Sequence, residues 1–219
     1  MLVSEAVATR RSVRSFLNKP VPLETVRRIM DRARFAPSGC NFQPWEAHVL
    51  TGDALSALQE RLKASAPDAP MDYDFSAPGK VEKYSERLKT LGAAMYGAMA
   101  IERADGQARA DFASSNLVSF GAPVLLLCHF PKFMKEAQWS DVGMWLQTIM
   151  LLAREEGLDT CPQEYMGMYG HTIKDQLGLP EDQLLFCGIA IGWRDESDAV
   201  NNFERPRVPL DEHVTFMGF

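Results

Sequence analysis

Long apolar runs are missing from this sequence. The greasiest stretch, 149-IMLLA-153 with its flanks, is too short to span a bilayer, and the N-terminal MLVSEAVATRR has no apolar segment of signal-peptide length. Both absences predict a soluble, cytoplasmic protein with no membrane partner. Cysteine is sparse: Cys40, Cys128, Cys161 and Cys187 are far apart, with no C-x-x-C and no Cys/His cluster. That excludes a zinc site or a disulfide framework from the expectations and leaves reduced thiols. Excess positive charge is also lacking, since the 219 residues carry a formal net charge of −6. A nucleic-acid partner, which needs a broad cationic footprint, is not expected.

The common catalytic signatures are absent too. There is no G-x-S-x-G, no H-E-x-x-H, no G-x-G-x-x-G and no G-x-x-x-x-G-K-[ST], so hydrolase, zincin, Rossmann and P-loop chemistry have no support. His48, His129, His171 and His213 stand in no catalytic spacing and read as structural or exposed.

The sequence has enough apolar residues for one sizeable core, and a single domain over 1–219 is expected. Residues 22–37 place Val26, Ile29, Met30 and Ala33 on one helical face, with Pro22 in the first turn and Pro37 after the end. The segment 46–52 reads as a strand and 53–65 as a helix. Residues 66–80, with three prolines and a glycine, read as a loop. A helix is expected over 81–103. The apolar runs 123–130 and 183–193 read as buried strands, with a short helical piece between them near 170–177. Ser140 is the expected N-cap of a helix over 141–157, apolar on nearly every side and ending at Gly157. The segment 157–167 reads as irregular, and 194–219 as a polar tail with apolar anchors. This order predicts an α+β fold, a sheet covered by helices.

Four local features carry chemistry. The first is 10-RRSVR-14, a guanidinium cluster suited to a phosphate or to carbonyls, or else a solvated basic face. The second is 37-PSGCNFQPW-45, whose small residues permit close backbone approach while Asn41 and Gln43 offer donors and acceptors. The third is 157-GLDTCPQEYMG-167, and the fourth 205-RPR-207.

Taken together, R-x-S-x-R-x-F from Arg10, A-P-S-x-x-N-x-Q-P-W from Ala36, F-G-A-P-V from Phe120, D-x-G from Asp141, G-L-x-T-C-P-Q-E from Gly157 and the arginine tail resemble the nitroreductase family of FMN-dependent oxidoreductases, over essentially the whole chain. The insert at 66–110 resembles the branch that reduces nitrobenzoates. The resemblance implies an α/β sandwich with a central, mainly antiparallel sheet flanked by helices. It also implies an intertwined homodimer with FMN at the interface, and a strap at 194–219 reaching the partner subunit. Arg10, Ser12, Arg205 and Arg207, with Arg11 less directly, would hold the phosphate and ribityl chain, and Arg14 and Asn116 the pyrimidine edge. Pro37, Ser38, Gly39 and Asn41 would come from the partner. Pro162, Gln163 and Glu164 would cover one flavin face, with the Glu164 backbone N–H at N5; Tyr165 departs from the glycine of several relatives. NAD(P)H would reduce the flavin and then give way to a nitroaromatic or quinone, a ping-pong scheme with no catalytic side chain and no metal. Tyr73, Tyr84, Tyr96, Phe112, Phe120, Phe130 and Trp139 are candidate walls for this small aromatic electron acceptor. A flavin-dependent dehalogenase, a flavin-fragmenting enzyme of the same fold and a non-catalytic flavin-binding module are the alternatives.

Overall fold

The computed structural model describes residues 1–75 and 77–219; Ser76, inside the expected loop and insert, lies outside the described residues. Four strands form one antiparallel sheet in the order β1-β2-β4-β3: β1 Glu46–Thr51, β2 Val124–Pro131, β3 Asp159–Gln163 and β4 Gln183–Gly192. The two apolar runs become the central pair, with Leu126 opposite Ile189 and Cys128 opposite Cys187.

Both faces of that pair are covered, which is why their sequences are apolar without alternation. One face, with Leu126, Cys128, Phe130 and Ile189, packs under α2 Leu23–Ala33 and α6 Glu136–Glu155. The other, with Leu125, Leu127 and Leu185, packs under α3 Gly52–Ala64 and α7 Gly170–Leu177. Leu126 is fully buried, so Leu126→Ala costs about 2–5 kcal/mol. In α6, Val142, Trp145, Leu146, Ile149, Met150 and Ala153 recur every three or four residues and form the buried stripe, while Met144 faces outward.

Three expectations need correction. The 157–167 segment is not irregular: Asp159–Gln163 is β3, and a 3₁₀ helix follows from Glu164. Pro162 and Asp159 weaken strand propensity, but an edge strand tolerates a proline whose missing N–H would face away from the sheet. The long helix begins at Glu136 rather than 141, so Ser140 is not its cap; the Ser140 hydroxyl donates to the Ala137 carbonyl from within the helix. The helix expected over 81–103 ends at Ala98. Ala100 takes φ +54° and the Ile101 N–H turns back to the Tyr96 carbonyl, and a separate helix follows. These helices are α4 Glu82–Ala98 and α5 Gly106–Ser114, and neither buries a residue. The insert therefore stands off the core, held by its first half. Asp68 accepts from the His171 N–H and the Thr172 hydroxyl at the start of α7, and the Tyr73 hydroxyl donates to the Phe186 carbonyl.

Candidate active site

The free edge of β3 organises the site. After α1, Val3–Thr9, Arg10 leaves the helical region at φ −57°, ψ 129°, and the chain extends. Ser12 bridges in parallel to Thr160, and the Val13 N–H donates to the Thr160 carbonyl at 3.0 Å. Alternate side chains of an extended segment face opposite ways, so burying Val13 with Phe16, Phe120 and Cys161 turns Ser12 and Arg14 to the other side.

The tail returns over this segment. Buried Asn201 accepts from the Arg14 N–H at 2.8 Å and donates to the Ser15 and Asp195 carbonyls at 2.9 Å. This staple brings Arg205 onto Arg10, where Nη1 donates to the Arg10 carbonyl at 3.0 Å. Arg11 reaches the Phe203 carbonyl at 3.4 Å, Arg14 the Ser12 carbonyl at 3.4 Å, and Arg207 its neighbour Pro206 at 3.0 Å. These guanidiniums bond to carbonyls and not to carboxylates. The nearby acid, Asp159, is already clamped by Arg194 at 2.8 and 3.1 Å and by Arg154 at 2.9 Å.

Crowding cations in a partly buried place is unfavourable, and the titration behaviour reflects it. Burial, then repulsion from Arg11, Arg10, Arg207 and Arg194, pushes the Arg205 pKa down to about 10. Burial and Arg207 lower that of Arg10. Among the described residues seven side-chain atoms are buried without a hydrogen-bond partner: Arg205 Nε, Thr160 Oγ1, Gln163 Oε1 and Ser119 Oγ, and also Arg154 Nε, Asp141 Oδ2 and Asp72 Oδ2. Such atoms cost roughly 1–3 kcal/mol each unless a ligand satisfies them. An anion with several oxygens fits the arginine end. Cys161, beside it, is no nucleophile: burial raises its pKa to about 11 against the pull of Arg14 and Arg10.

Gln163 Nε2 donates to the Asn116 carbonyl at 2.9 Å and to its Oδ1 at 3.2 Å, which joins two expected site residues. Pro162 and Glu164 are exposed on either side of buried Gln163. The 37–43 turn lies elsewhere. The Gly39 N–H donates to Asp141 on α6 at 3.1 Å, the Gln43 N–H donates to the Ser38 hydroxyl, and Cys40, Asn41 and Gln43 hold positive φ. Among the described residues no hydrogen bond or ion pair joins this turn, with exposed Pro37, Gly39 and Asn41, to the arginine cluster.

The candidate aromatic walls separate into groups. Tyr96, Phe112 and Phe120 form a column, with ring centres 5.9 and 6.1 Å apart, that ends on Val13 and Cys161. Tyr73 and Trp139 pack with Phe130 and Phe186 against the α2/α6 core. Phe130 is fully buried and offers no surface to an acceptor, a correction to its expected role. Tyr84 is exposed beside Arg87, in the first turn of α4 and at the opposite end from Tyr96. The segment 194–207 packs on its own chain, and 209–219 is exposed. His48 and His129 form a chain with Gln183 at 3.0 and 2.9 Å. No metal-binding group of His, Cys, Asp and Glu occurs among the described residues, and no helix there is long and apolar enough to cross a membrane.

A sequence model of the nitroreductase family matches residues 7–193. The chain belongs to the nitroreductase family. Within it, this nitroreductase-family chain is 40% identical to a 4-nitrobenzoate reductase of Pseudomonas putida, over 97% of this chain and 94% of that one. It is 33% identical to a chloronitrobenzene nitroreductase of Comamonas testosteroni, over 98% and 96%. The crystal structure of the FMN and NADPH-dependent nitroreductase NfnB from a Sphigopyxis strain superimposes with a TM-score of 0.95 at 42% identity, covering both chains completely. These likenesses place the chain in the nitrobenzoate-reductase-like branch. Sequence reasoning missed Asn201, Ser119 and the Asp159 clamp. Thr160 stood inside the G-L-x-T-C-P-Q-E motif and was the one detectable signal.

Proposed function

We propose that this chain is an FMN-dependent oxidoreductase that carries reducing equivalents from NAD(P)H to a nitroaromatic or quinone acceptor, working as a homodimer. The observation that carries this reading is the buried, unpartnered Arg205 Nε beside Arg11, Arg10 and Arg207, where burial first and then these neighbours lower the Arg205 pKa. A phosphate satisfies that donor and neutralises the repulsion at once.

Bound FMN would supply the two-electron chemistry. Arg10, Ser12, Arg205 and Arg207 hold its phosphate and ribityl end, with Arg11 behind them. Arg14 holds a fixed positive charge at the far end of the ring, where negative charge develops on reduction. Asn116 and Gln163, tied to each other, offer polar edges, and Thr160 and Ser119 supply hydroxyls. Exposed Pro162 and Glu164 border one face. With Cys161 protonated, no side chain acts as a covalent nucleophile.

A second copy of the chain is supported by apolar side chains left exposed on α1 (Leu2, Val3, Val7), on α6 (Met144) and in the tail (Phe216, Met217, Phe219). It would bring Pro37, Ser38, Gly39 and Asn41 to the flavin of the first, since that turn does not bond to its own arginine cluster. Tyr96 and Phe112, backed by buried Phe120, form the acceptor wall.

The test is anaerobic. Purified protein loaded with FMN is yellow, NADPH bleaches it, and 4-nitrobenzoate or a quinone restores the colour. A protein that takes up no FMN, or whose colour no acceptor restores after bleaching, overturns the reading.

A further inference from the structure

The relatives named above reduce a carboxylated nitroarene in one case and a neutral one in another, so the family alone leaves the charge of the acceptor open. One cation in the insert bears on it. Arg109 lies half-buried on α5 with its guanidinium 3.8 Å from the centre of the Tyr96 ring. Among the described residues it has no ion pair, whereas Arg87 on the neighbouring helix pairs with Glu212 at 3.3 Å. The acids of its own helix are engaged elsewhere: Asp105 accepts from the Ala108 N–H and Asp111 from the Gln107 amide.

Arg109 is also aimed. Arg109 and Phe112 lie three residues apart and share one face of α5, and the chain runs on from the end of that helix into Asn116. Asn116 bonds to Gln163 on β3, and Phe112 packs toward Phe120 over Cys161. The turn that presents Tyr96 to this face is strained: Ala100 takes φ +54° and lets the Ile101 N–H close on the Tyr96 carbonyl. Non-glycine residues held there cost about 1–3 kcal/mol, and such strain collects at ligand sites. Stacking on an aromatic face keeps a guanidinium flat and leaves its N–H edge free for bidentate contact with a carboxylate.

We infer that Arg109 binds the carboxylate of an acidic nitroaromatic acceptor and makes this protein selective for nitrobenzoates over neutral nitroarenes. The inference rests on the reading of the chain as a nitroreductase. The acceptor lies along the Tyr96–Phe112–Phe120 column, its carboxylate on Arg109 and its nitro group toward β3.

The experiment compares kcat/KM for 4-nitrobenzoate and 4-nitrobenzamide on the same FMN-loaded preparation, so that any loss of loaded enzyme cancels in the ratio. The wild type favours the acid, Arg109→Gln lowers the ratio roughly ten- to hundredfold, and Arg109→Lys retains most of it. Calorimetric titration of the holoenzyme with benzoate and benzamide follows the same order. An unchanged ratio in Arg109→Gln, or a lysine variant as unselective as the glutamine one, overturns the Arg109 assignment and leaves the nitroreductase reading standing. A wild type that reduces neither acceptor overturns that reading instead, and the benzoate titration still decides Arg109.

Discussion

Two charged regions of this molecule are built on opposite rules. At the root of the insert, the fully buried Asp72 carboxylate meets Lys174 Nζ at 2.9 and 2.7 Å and Lys132 Nζ at 3.0 Å, with His171 at 3.4 Å. Each head group there faces an opposite charge. At the edge of β3, Arg10, Arg11, Arg205 and Arg207 face one another, and Arg205 Nε has no partner. Burial of charge is tolerated when it is paired, so the first region carries its own counter-charges, Asp72 Oδ2 by an ion contact to Lys174 without a hydrogen bond, and fastens the 66–75 segment to α7. The second, on the proposed reading, is completed by an anion. Paired charge marks architecture, and unpaired like charge marks a ligand.

Breaking the paired region has the largest expected effect. Asp72→Asn leaves Lys174, whose side chain is 2% exposed, as a buried cation with only the exposed Glu181 at 3.9 Å as counter-charge, and a cost of about 3–5 kcal/mol follows. Urea or thermal unfolding measures it, and a change under 1 kcal/mol would refute the pairing rule. The acid limit has a defined sign. Burial works to raise the Asp72 pKa, but hydrogen bonds from Lys174 and Lys132 hold it below the usual 3.8. Its contribution is therefore complete above pH 3.8 and is lost as the pH falls through the lower folded value.

The arginine end inverts that outcome. Arg205→Ala/Arg207→Ala relieves repulsion while losing one bond to the Arg10 carbonyl, so unfolding of the apo protein shifts by no more than ~1 kcal/mol. FMN affinity falls at least ten- to hundredfold, about 1.5–3 kcal/mol for each charged hydrogen bond lost. Calorimetry on wild type and double mutant separates the two effects, and unaltered FMN affinity would dismiss the phosphate assignment. Saturating FMN should also raise the wild-type melting temperature far more than the mutant's.

How much of this was legible in the sequence follows from how local each signal is. The central strands showed as unbroken apolar runs, and α2 and α7 as periodic or capped segments, because burial on known faces writes itself into neighbouring residues. β3 did not, since Pro162 and Asp159 contradict a strand unless the edge position is known. The start of α6 was misplaced because Ser140 is a good cap by type but bonds backward in place. The arginine site is farther still from local pattern: Arg10 and Arg205 lie 195 residues apart and meet through Asn201, which no spacing singles out. Only motif resemblance bridged that distance. The Asp72–Lys174 pair, 102 residues apart in sequence, had no motif and went unseen.

The 37–43 turn allows a smaller test on the ligand side of the comparison. Cys40 is the one exposed thiol, and Cys128, Cys161 and Cys187 are buried. With the Cys161 pKa raised to about 11, iodoacetamide at neutral pH modifies Cys40 alone. If a second copy covers this turn when FMN is bound, FMN slows the modification by about an order of magnitude in wild type and not in the double arginine mutant. Equal rates with and without FMN would remove the turn from the site.

The smallest expected effect sits on the paired side, and its value lies in which region responds. The bond chain sets the tautomers: His129 Nδ1–H donates to Gln183 Oε1, so its Nε2 accepts from the Nδ1–H of His48. Burial first, then the neighbouring His129, lowers the His48 pKa below 6.5, with Glu46 opposing. The unfolded chain then binds the proton more readily than the folded one, so the contribution is complete above pH 6.5 and declines as the pH falls through the folded value. Gln183 also receives Lys174 Nζ on its carbonyl at 3.3 Å, which ties the histidines to the Asp72 corner and not to the arginines. Mild acid should therefore lower the melting temperature of the apo protein by a few degrees, and His48→Gln should flatten that slope without changing FMN affinity at a given pH. If His48→Gln changed FMN affinity at a given pH along with the stability slope, the two regions would be coupled and the division between them would fail.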